Sequence, residues 1–502
     1  MPTMSTRSRS FLIFLLLATT SSAIHIPIRR QATHSTSVNF ASHSSASSDF
    51  NATDPFYFGN INDVFYVGTI FVDGQPYEVQ LDTGSSDLWL DTTGVTFSSN
   101  VTDTLITSSI TYLDTTQASG DVLLAPVSWG EFIVYDQAFI SAPGTNATSG
   151  GDKGLLGIGP PSLSSVADSL NGSSFNGASF LDNVFGLYPD EPNFYTFLLS
   201  RSDSGLTDGG IFTIGEFNSN FSNVAQTPKL PLLADDEWLS VMDGVIIDGV
   251  LIEGFNIPDD GQSVIPPAGQ LSVLFDTGTS LANAPPHYVN ATYGNIPGAT
   301  YDSGTWYMPC DSKVNVSMVF GTNVYPVHPI DIILFDHIDE KGNAVCFGAF
   351  SDSTGSGQDF LLGDTFLRNV YAVYDFGRLV TVGDTDPFVQ ILSVTDADQA
   401  WAEYDSLNAA RIAAAQSAGS GSNDQSSSAA AVVGGAIAET RYSASDVDVL
   451  QRSIFIIMYL LGAVILLLLV ICVQLFWSSR QNKGYRALDN SSAGGRFGKY
   501  SE

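Results

Sequence analysis

The sequence predicts an all-β body of two related lobes around a central cleft, followed by a single transmembrane helix. Three observations carry this. Between Val64 and about Leu392 the chain reads as short β-type runs, such as Phe65 to Val72, Tyr77 to Leu81 and Val245 to Ile247, broken by Gly, Asn, Asp and Pro. The stretch Leu81-Asp82-Thr83-Gly84-Ser85-Ser86 returns 194 residues later as Phe275-Asp276-Thr277-Gly278-Thr279-Ser280. Finally, Ile454 to Trp477 runs 24 residues without a charge. As a helix at about 1.5 Å per residue it exceeds a hydrocarbon core of roughly 30 Å.

Taken in order, Arg7 and Arg9 precede the apolar run Phe11 to Ala18 and then small residues ending at Ala23, which predicts a signal peptide over 1–23. Residues 24–61 are Ser/Thr-rich and read as a pro-segment or flexible leader, with Arg29-Arg30 as a processing site. The β-rich body divides into an N-terminal lobe (62–228) and a C-terminal lobe (229–392). Residues 393–452 read as a helix over 396–416 and then a Gly/Ser/Ala-rich stalk. The transmembrane helix covers 453–477. Arg480, Lys483 and Arg486 follow it in the tail 478–502, so the tail is cytosolic and the body lies outside, as in a type I single-pass protein of the secretory pathway. Cell-surface display is the first expectation and a vacuole-like compartment the second. Glycosylation sequons before the span, at Asn51, Asn100, Asn146, Asn171, Asn220, Asn290 and Asn315, fit that placement. Cys472 lies in the span, which leaves Cys310 and Cys346 as the one available disulfide.

Of 502 residues, 52 are acidic and 19 are Lys or Arg, a formal charge of −33. That excludes nucleic acid as a partner, because phosphate binding needs concentrated cations. Charged residues are only 14%, so the acidity reflects a shortage of bases, and protonation of carboxylates relieves its self-repulsion. The six histidines show no metal-ligand spacing, and neither metal nor cofactor is expected.

The repeated Asp-Thr-Gly carries the chemistry. One copy is ordinary turn chemistry, with Asp and Thr bonding local amides and Gly free to turn. Two copies are more, because Leu155-Leu156-Gly157 follows the first and Leu361-Leu362-Gly363 the second at similar distance. The pattern predicts that each lobe contributes one Asp to a shared site. Hydrolysis of a peptide by water needs a base for the water's proton and an acid for the departing amide. Two carboxyl groups in contact cannot both ionise, so they share a proton and serve as both. Which one holds it is a property of the pair.

Residues 62–392 resemble the pepsin-like aspartic proteases. Trp89 matches the tryptophan that supports the flap tyrosine, and Ile110 to Asp114 with Ala118-Ser119-Gly120 looks like the flap hairpin, with Tyr112 as its tyrosine. Glu237-Trp238 resembles the start of the second lobe, and Leu362 to Tyr371 the family signature near its end. The resemblance implies a bilobal, pseudo-two-fold acid-protease fold with Asp82 and Asp276 as the catalytic pair. It further implies Ser85 and Thr279 hydroxyls orienting the carboxylates, Thr83 and Thr277 bracing the loops, and Gly84 and Gly278 admitting backbone amides. A C-lobe disulfide between Cys310 and Cys346, a peptide or protein substrate and a monomeric enzyme are likewise implied. With its anchor, the chain is similar to surface proteases of fungi. The sequence departs from the family in a cysteine-free first lobe, Leu113 after the flap tyrosine, and a leader without lysine. A second reading is a catalytically inactive binding or adhesion protein at the cell surface. Against it, pure binding places no demand on a second carboxylate.

Overall fold

The computed structural model describes Phe56, 59–61, Asp63, 65–112, 116–148, 152–201, 206–254, 264–302, 304–339, 341–353 and 357–419. The expected signal peptide, most of the leader, the stalk, the span and the tail lie outside the described residues. Among the described residues no helix is long and apolar enough to cross a membrane.

Each half threads its chain in the same way. Strand Gln75–Asp82 turns Tyr77, Val79 and Leu81 into the core and ends on the first Asp. The strand Gly154–Gly157 then inserts between it and Leu88–Leu90, parallel to the first (Leu81 opposite Leu156, Asp82 opposite Gly157) and antiparallel to the second. In the second half Phe360–Leu362 lies parallel to Leu271–Phe275, with Phe275 opposite Leu362, and antiparallel to Ala282–Ala284. The glycines that end these runs have a steric cause. A β-carbon on Gly157 would stand 2.5 Å from the Ser86 amide, and one on Gly363 2.0 Å from the Thr279 carbonyl. The returning strand therefore passes through the Asp loop at backbone contact, which only glycine permits.

The first half builds a nine-stranded sheet that ends in the long hairpin Thr102–Thr111 and Gln117–Trp129. A five-stranded sheet joins the halves, with Phe194–Leu199 and Gly210–Ile214 from the first and Val370–Asp375 and Phe388–Ser393 from the second. Above it stand buried aromatics: Tyr195 stacks on Tyr374 at 4.9 Å, and Trp238 meets Tyr374 at 5.3 Å and Phe376 at 5.1 Å. The ordered body begins earlier than the boundary expected at 62. Phe56 is buried against Trp129 and Phe212, and Gly59–Ile61 pairs with Phe65–Val72 and Leu206–Asp208.

The C-terminal helix Ala397–Gly419, expected over 396–416, docks on the body; the expected stalk lies outside the described residues. Ala400, Tyr404, Asn408 and Arg411, spaced three or four apart, form its buried face. Tyr404 donates to the Ser312 carbonyl at 2.6 Å, Asn408 to that of Cys310 at 2.6 Å and Arg411 to that of Ile333 at 3.1 Å. Cys310 and Cys346 form the disulfide beneath it. Asn100, Asn146, Asn171, Asn220 and Asn290 are exposed, Asn315 is half-buried, and Asn51 lies outside the described residues.

Near that helix the buried Asp331 carboxylate accepts from Arg201 at 2.6 Å, Arg368 at 2.9 Å and Asn369 at 3.0 Å, and Arg368 also reaches the Asp63 carbonyl at 3.1 Å. Burial alone would raise the Asp331 pKa, but the two guanidinium charges outweigh it and hold the carboxyl well below the usual range. Replacing Asp331 with Ala leaves Arg368 buried without its counter-charge, and urea unfolding should show a loss of about 3–5 kcal/mol. A loss under about 1 kcal/mol, the scale of a surface pair, would contradict this reading of the cluster.

Candidate active site

The two Asp loops meet where the halves face each other. Thr83 and Thr277 interlock: the Thr83 amide donates to Thr277 Oγ1 at 3.1 Å and the Thr277 amide to Thr83 Oγ1 at 3.0 Å. Each hydroxyl then donates beneath the opposite loop, Thr83 to the Phe275 carbonyl at 3.1 Å and Thr277 to the Leu81 carbonyl at 2.9 Å. Four reciprocal bonds between buried residues fix one loop against the other.

Above this brace the Asp82 and Asp276 carboxyl groups, both buried, converge on Gly278. Two buried carboxyl groups brought together oppose a second ionisation, which favours one proton held between them. Burial pushes the Asp276 pKa well up and the Asp82 charge adds to it, against the smaller opposing influence of Thr279 and the Gly278 amide. A β-carbon on Gly278 would stand 2.3 Å from Asp82 Oδ1 and 3.1 Å from Asp276 Oδ1, so any side chain there would part the pair.

The supporting residues divide unevenly. Gly84 donates its amide to Asp82 Oδ1 at 2.9 Å and Ser85 its hydroxyl to Oδ2 at 2.5 Å. Gly278 likewise donates to Asp276 Oδ1 at 2.9 Å, while Thr279 stands where its hydroxyl lowers the Asp276 pKa but lies outside good hydrogen-bond geometry with Asp276 Oδ2. The Ser85 contact on Asp82 is thus the better formed of the two. Asp82 is the better solvated of the two by protein donors.

The hairpin Thr102–Thr111 and Gln117–Trp129 carries Tyr112 at its tip, and the Tyr112 amide closes the turn on the Thr116 carbonyl at 2.9 Å. Trp89 Nε1 donates to the Tyr112 hydroxyl at 2.7 Å, and both side chains are buried. Leu113 lies outside the described residues.

Two carboxyl groups at the site were not singled out from the sequence. Asp364 follows Gly363, bonds the Thr279 carbonyl through its amide at 2.8 Å, and has both carboxyl oxygens buried without a hydrogen-bond partner. Burial drives its pKa far up; Arg368 opposes this, while Asp276, Asp63 and Asp82 reinforce it. Its neighbour glycine was legible as a packing requirement, but nothing in the sequence announces that the next side chain is dry. The other is Glu237, half-buried beside Trp238, which burial and then Asp236 raise to about 7.

A family model for eukaryotic aspartyl proteases matches residues 57–383. The chain belongs to that family. Among the proteins similar to it, the aspartic protease pepA of Arthroderma gypseum is 28% identical over 331 residues, covering 62% of this chain and 78% of that one. Penicillopepsin-2 of Penicillium janthinellum is 28% identical over 331 residues, 62% of this chain and 76% of its own. The fold is similar to the crystal structure of the aspartic proteinase from Irpex lacteus, with a TM-score of 0.50 and 21% identity over 67% of this chain and 96% of that one. As a member of the family the protein is an aspartic-type endopeptidase.

The raised acids set a pH dependence of folding. A folded-state pKa above the unfolded one means that the native state holds the proton more tightly, so the stabilisation is present in acid and lost as pH rises. For Glu237 the window runs from its ordinary 4.5 to about 7, and Asp276 and Asp364 act in the same direction. Asp331 has the opposite sign, but its contribution is lost only well below 3.8. The urea midpoint should therefore be higher at pH near 4.5 than at 7, and Asp364→Asn should narrow the difference. A midpoint that holds or rises toward pH 7 would refute this assignment of buried protons.

Proposed function

We propose that the protein hydrolyses peptide bonds through water activated between Asp82 and Asp276, with its protease body held outside a membrane by the 453–477 segment. The observation that carries the catalytic part is the convergence of two buried carboxyl groups, one from each half, on cross-braced loops. In the resting pair the proton lies on the Asp276 side. The Gly84 and Ser85 donors favour the anion on Asp82, whereas burial raises Asp276 strongly and Thr279 opposes this only in part.

Asp82 then takes a proton from the attacking water while Asp276 donates its proton to the scissile carbonyl oxygen. The product is a neutral gem-diol, so charge never accumulates in a buried site. On collapse the roles exchange: the proton gained by Asp82 goes to the departing nitrogen, and Asp276 recovers one from the diol. Thr83 and Thr277 hold the separation through both steps, and Tyr112, steadied by Trp89, covers the bound peptide and excludes water. The substrate is an extended polypeptide lying in the cleft by strand-like hydrogen bonds.

Membrane attachment rests on the 24-residue uncharged run and the basic residues that follow it, and export on the signal-like N-terminus. Exposure of five of the sequons supports a glycosylated lumenal or extracellular body. Such a protease acts as a monomer on proteins at the cell surface or in an acidic compartment.

The test is cleavage of a denatured protein or peptide library between pH 3 and 6. Wild type should cleave and be blocked by a pepstatin-type inhibitor but not by chelators. Asp82→Asn and Asp276→Asn should each lower kcat by about 10²–10⁴-fold or more, because each removes one partner of the proton exchange. Equal turnover by wild type and both variants would reject the assignment in favour of a binding protein.

A further inference from the structure

The strand that leads into the second Asp loop has a neighbour with chemistry of its own. Leu239–Met242 runs antiparallel to Leu271–Phe275, with Leu239 opposite Leu274. The Phe275 amide donates to the Trp238 carbonyl at 3.3 Å, so the ladder continues one residue past the strand. The next rung sets Glu237 opposite Asp276. Opposed residues share a face, and so do residues two apart. Trp238 and Phe275 turn the other way into the core, where both are fully buried. By register, Glu237 therefore falls on the face of Leu239, Leu274 and Asp276, at the end where that face passes from buried leucines to the Asp loop.

The segment carrying Glu237 is held in place from several sides. Leu233 donates to the Leu239 carbonyl at 2.8 Å, Ser162 to the Asp235 carbonyl at 3.1 Å, and the Asp235 carboxylate is gripped by both Arg378 nitrogens, at 2.5 and 2.9 Å. Arg378 is committed to Asp235, with Asp386 3.5 Å away as a further partner. The charged groups nearest Glu237 are thus Asp236 on its own loop and, by the strand register, Asp276 at the adjoining strand end; the Pro161–Leu163 turn offers the Ser162 hydroxyl and no charge. Among the described residues no Lys, Arg or His influences it. A half-buried carboxyl group thus stands beside the strand end that carries Asp276, with no cation to neutralise it.

We propose that Glu237 is a specificity-determining residue that accepts a lysine or arginine side chain of the substrate adjacent to the scissile bond, on the Asp276 side of the cleft. This rests on the reading of Asp82 and Asp276 as the catalytic pair. With an uncharged side chain in place, Glu237 keeps its proton through the acid range, since burial and Asp236 disfavour the anion. A docking cation reverses that preference and expels the proton to solvent. Selection for a basic residue is then weak in acid and grows as pH rises toward 7, while neutral side chains are accepted throughout.

The experiment uses pairs of fluorogenic peptides that differ only by lysine or norleucine at each of the two positions on either side of the cleaved bond. The kcat/KM ratio of each pair is measured at pH 4 and 6.5 for wild type and Glu237→Gln. At one position the wild-type lysine-to-norleucine ratio should rise by about tenfold, the worth of one charge-assisted hydrogen bond, and in Glu237→Gln it should stay flat. Glu237→Lys should turn the preference at that position toward glutamate over glutamine, which a purely structural role would not produce. A wild-type ratio that does not move with pH overturns the proposal by itself, even if a variant fails to fold. An equal rise in Glu237→Gln also overturns it. Norleucine peptides cleaved by wild type but not by Asp276→Asn would leave the dyad standing in either case, whereas cleavage by Asp276→Asn would reject the dyad itself.

Discussion

The structure depends on keeping two carboxyl groups in contact inside the protein, where each would rather be apart from the other or in water. Burial and like charge both oppose a second ionisation, so in the proposed mechanism the pair shares one proton and one group serves as acid while the other serves as base. The threonine brace prevents the groups from separating. Gly278 leaves room for them, and the strands ending at Gly157 and Gly363 pass through the loops so closely that neither loop can relax outward. Two threadings of one pattern, facing each other, make the site from halves that could not hold it alone.

Burial of acids extends beyond the pair. Asp364 sits beneath Asp276 with no partner for either oxygen, and Glu237 stands beside it with only acids for company. A protein that stores neutral carboxyl groups in this way is built for conditions in which they remain protonated. The same direction is set at the surface by a formal charge of −33, whose repulsion lessens in acid. Core and surface thus both favour the folded state as pH falls from 7 toward 4.5. Asp331 is the exception, kept as an anion by two arginines in a structural role.

Much of the site was legible in the sequence because its parts are local and repeated. Asp82 and Asp276 stand in matching six-residue stretches, and the hydrophobic pair with glycine that follows each reports a strand that must pass at backbone contact. Tyr112 and Trp89 were readable from the resemblance and meet by hydrogen bond. Thr279 was expected to mirror Ser85, and its chemistry does mirror it, but its hydroxyl completes no bond, a difference of orientation that spacing does not encode. Asp364 and Glu237 were quoted as parts of longer signatures without a role, because their importance lies in which atoms surround them. The docked helix was foreseen as a helix but not as part of the body. Its alanine-rich sequence has little amphipathic contrast, and its attachment runs through Tyr404, Asn408 and Arg411 to carbonyls distant in sequence. Phe56 escaped for a related reason: the short aromatic run Phe56-Tyr57-Phe58 at the end of a Ser/Thr-rich leader has no strand periodicity, and the burial of Phe56 shows only through contacts with Trp129 and Phe212.

The claim beneath all of this is that one proton is shared by the two Asp side chains. Carbon-13 labelling of the aspartate carboxyls, followed by NMR titration of wild type against Asp82→Asn and Asp276→Asn for assignment, tests it most directly. The pair should lose its protons in two well-separated steps, with the Asp276 resonance still reporting a protonated carboxyl well above the ordinary 3.8. Both resonances moving together in one step near that value would mean two independent carboxylates, and a site that cannot work as described.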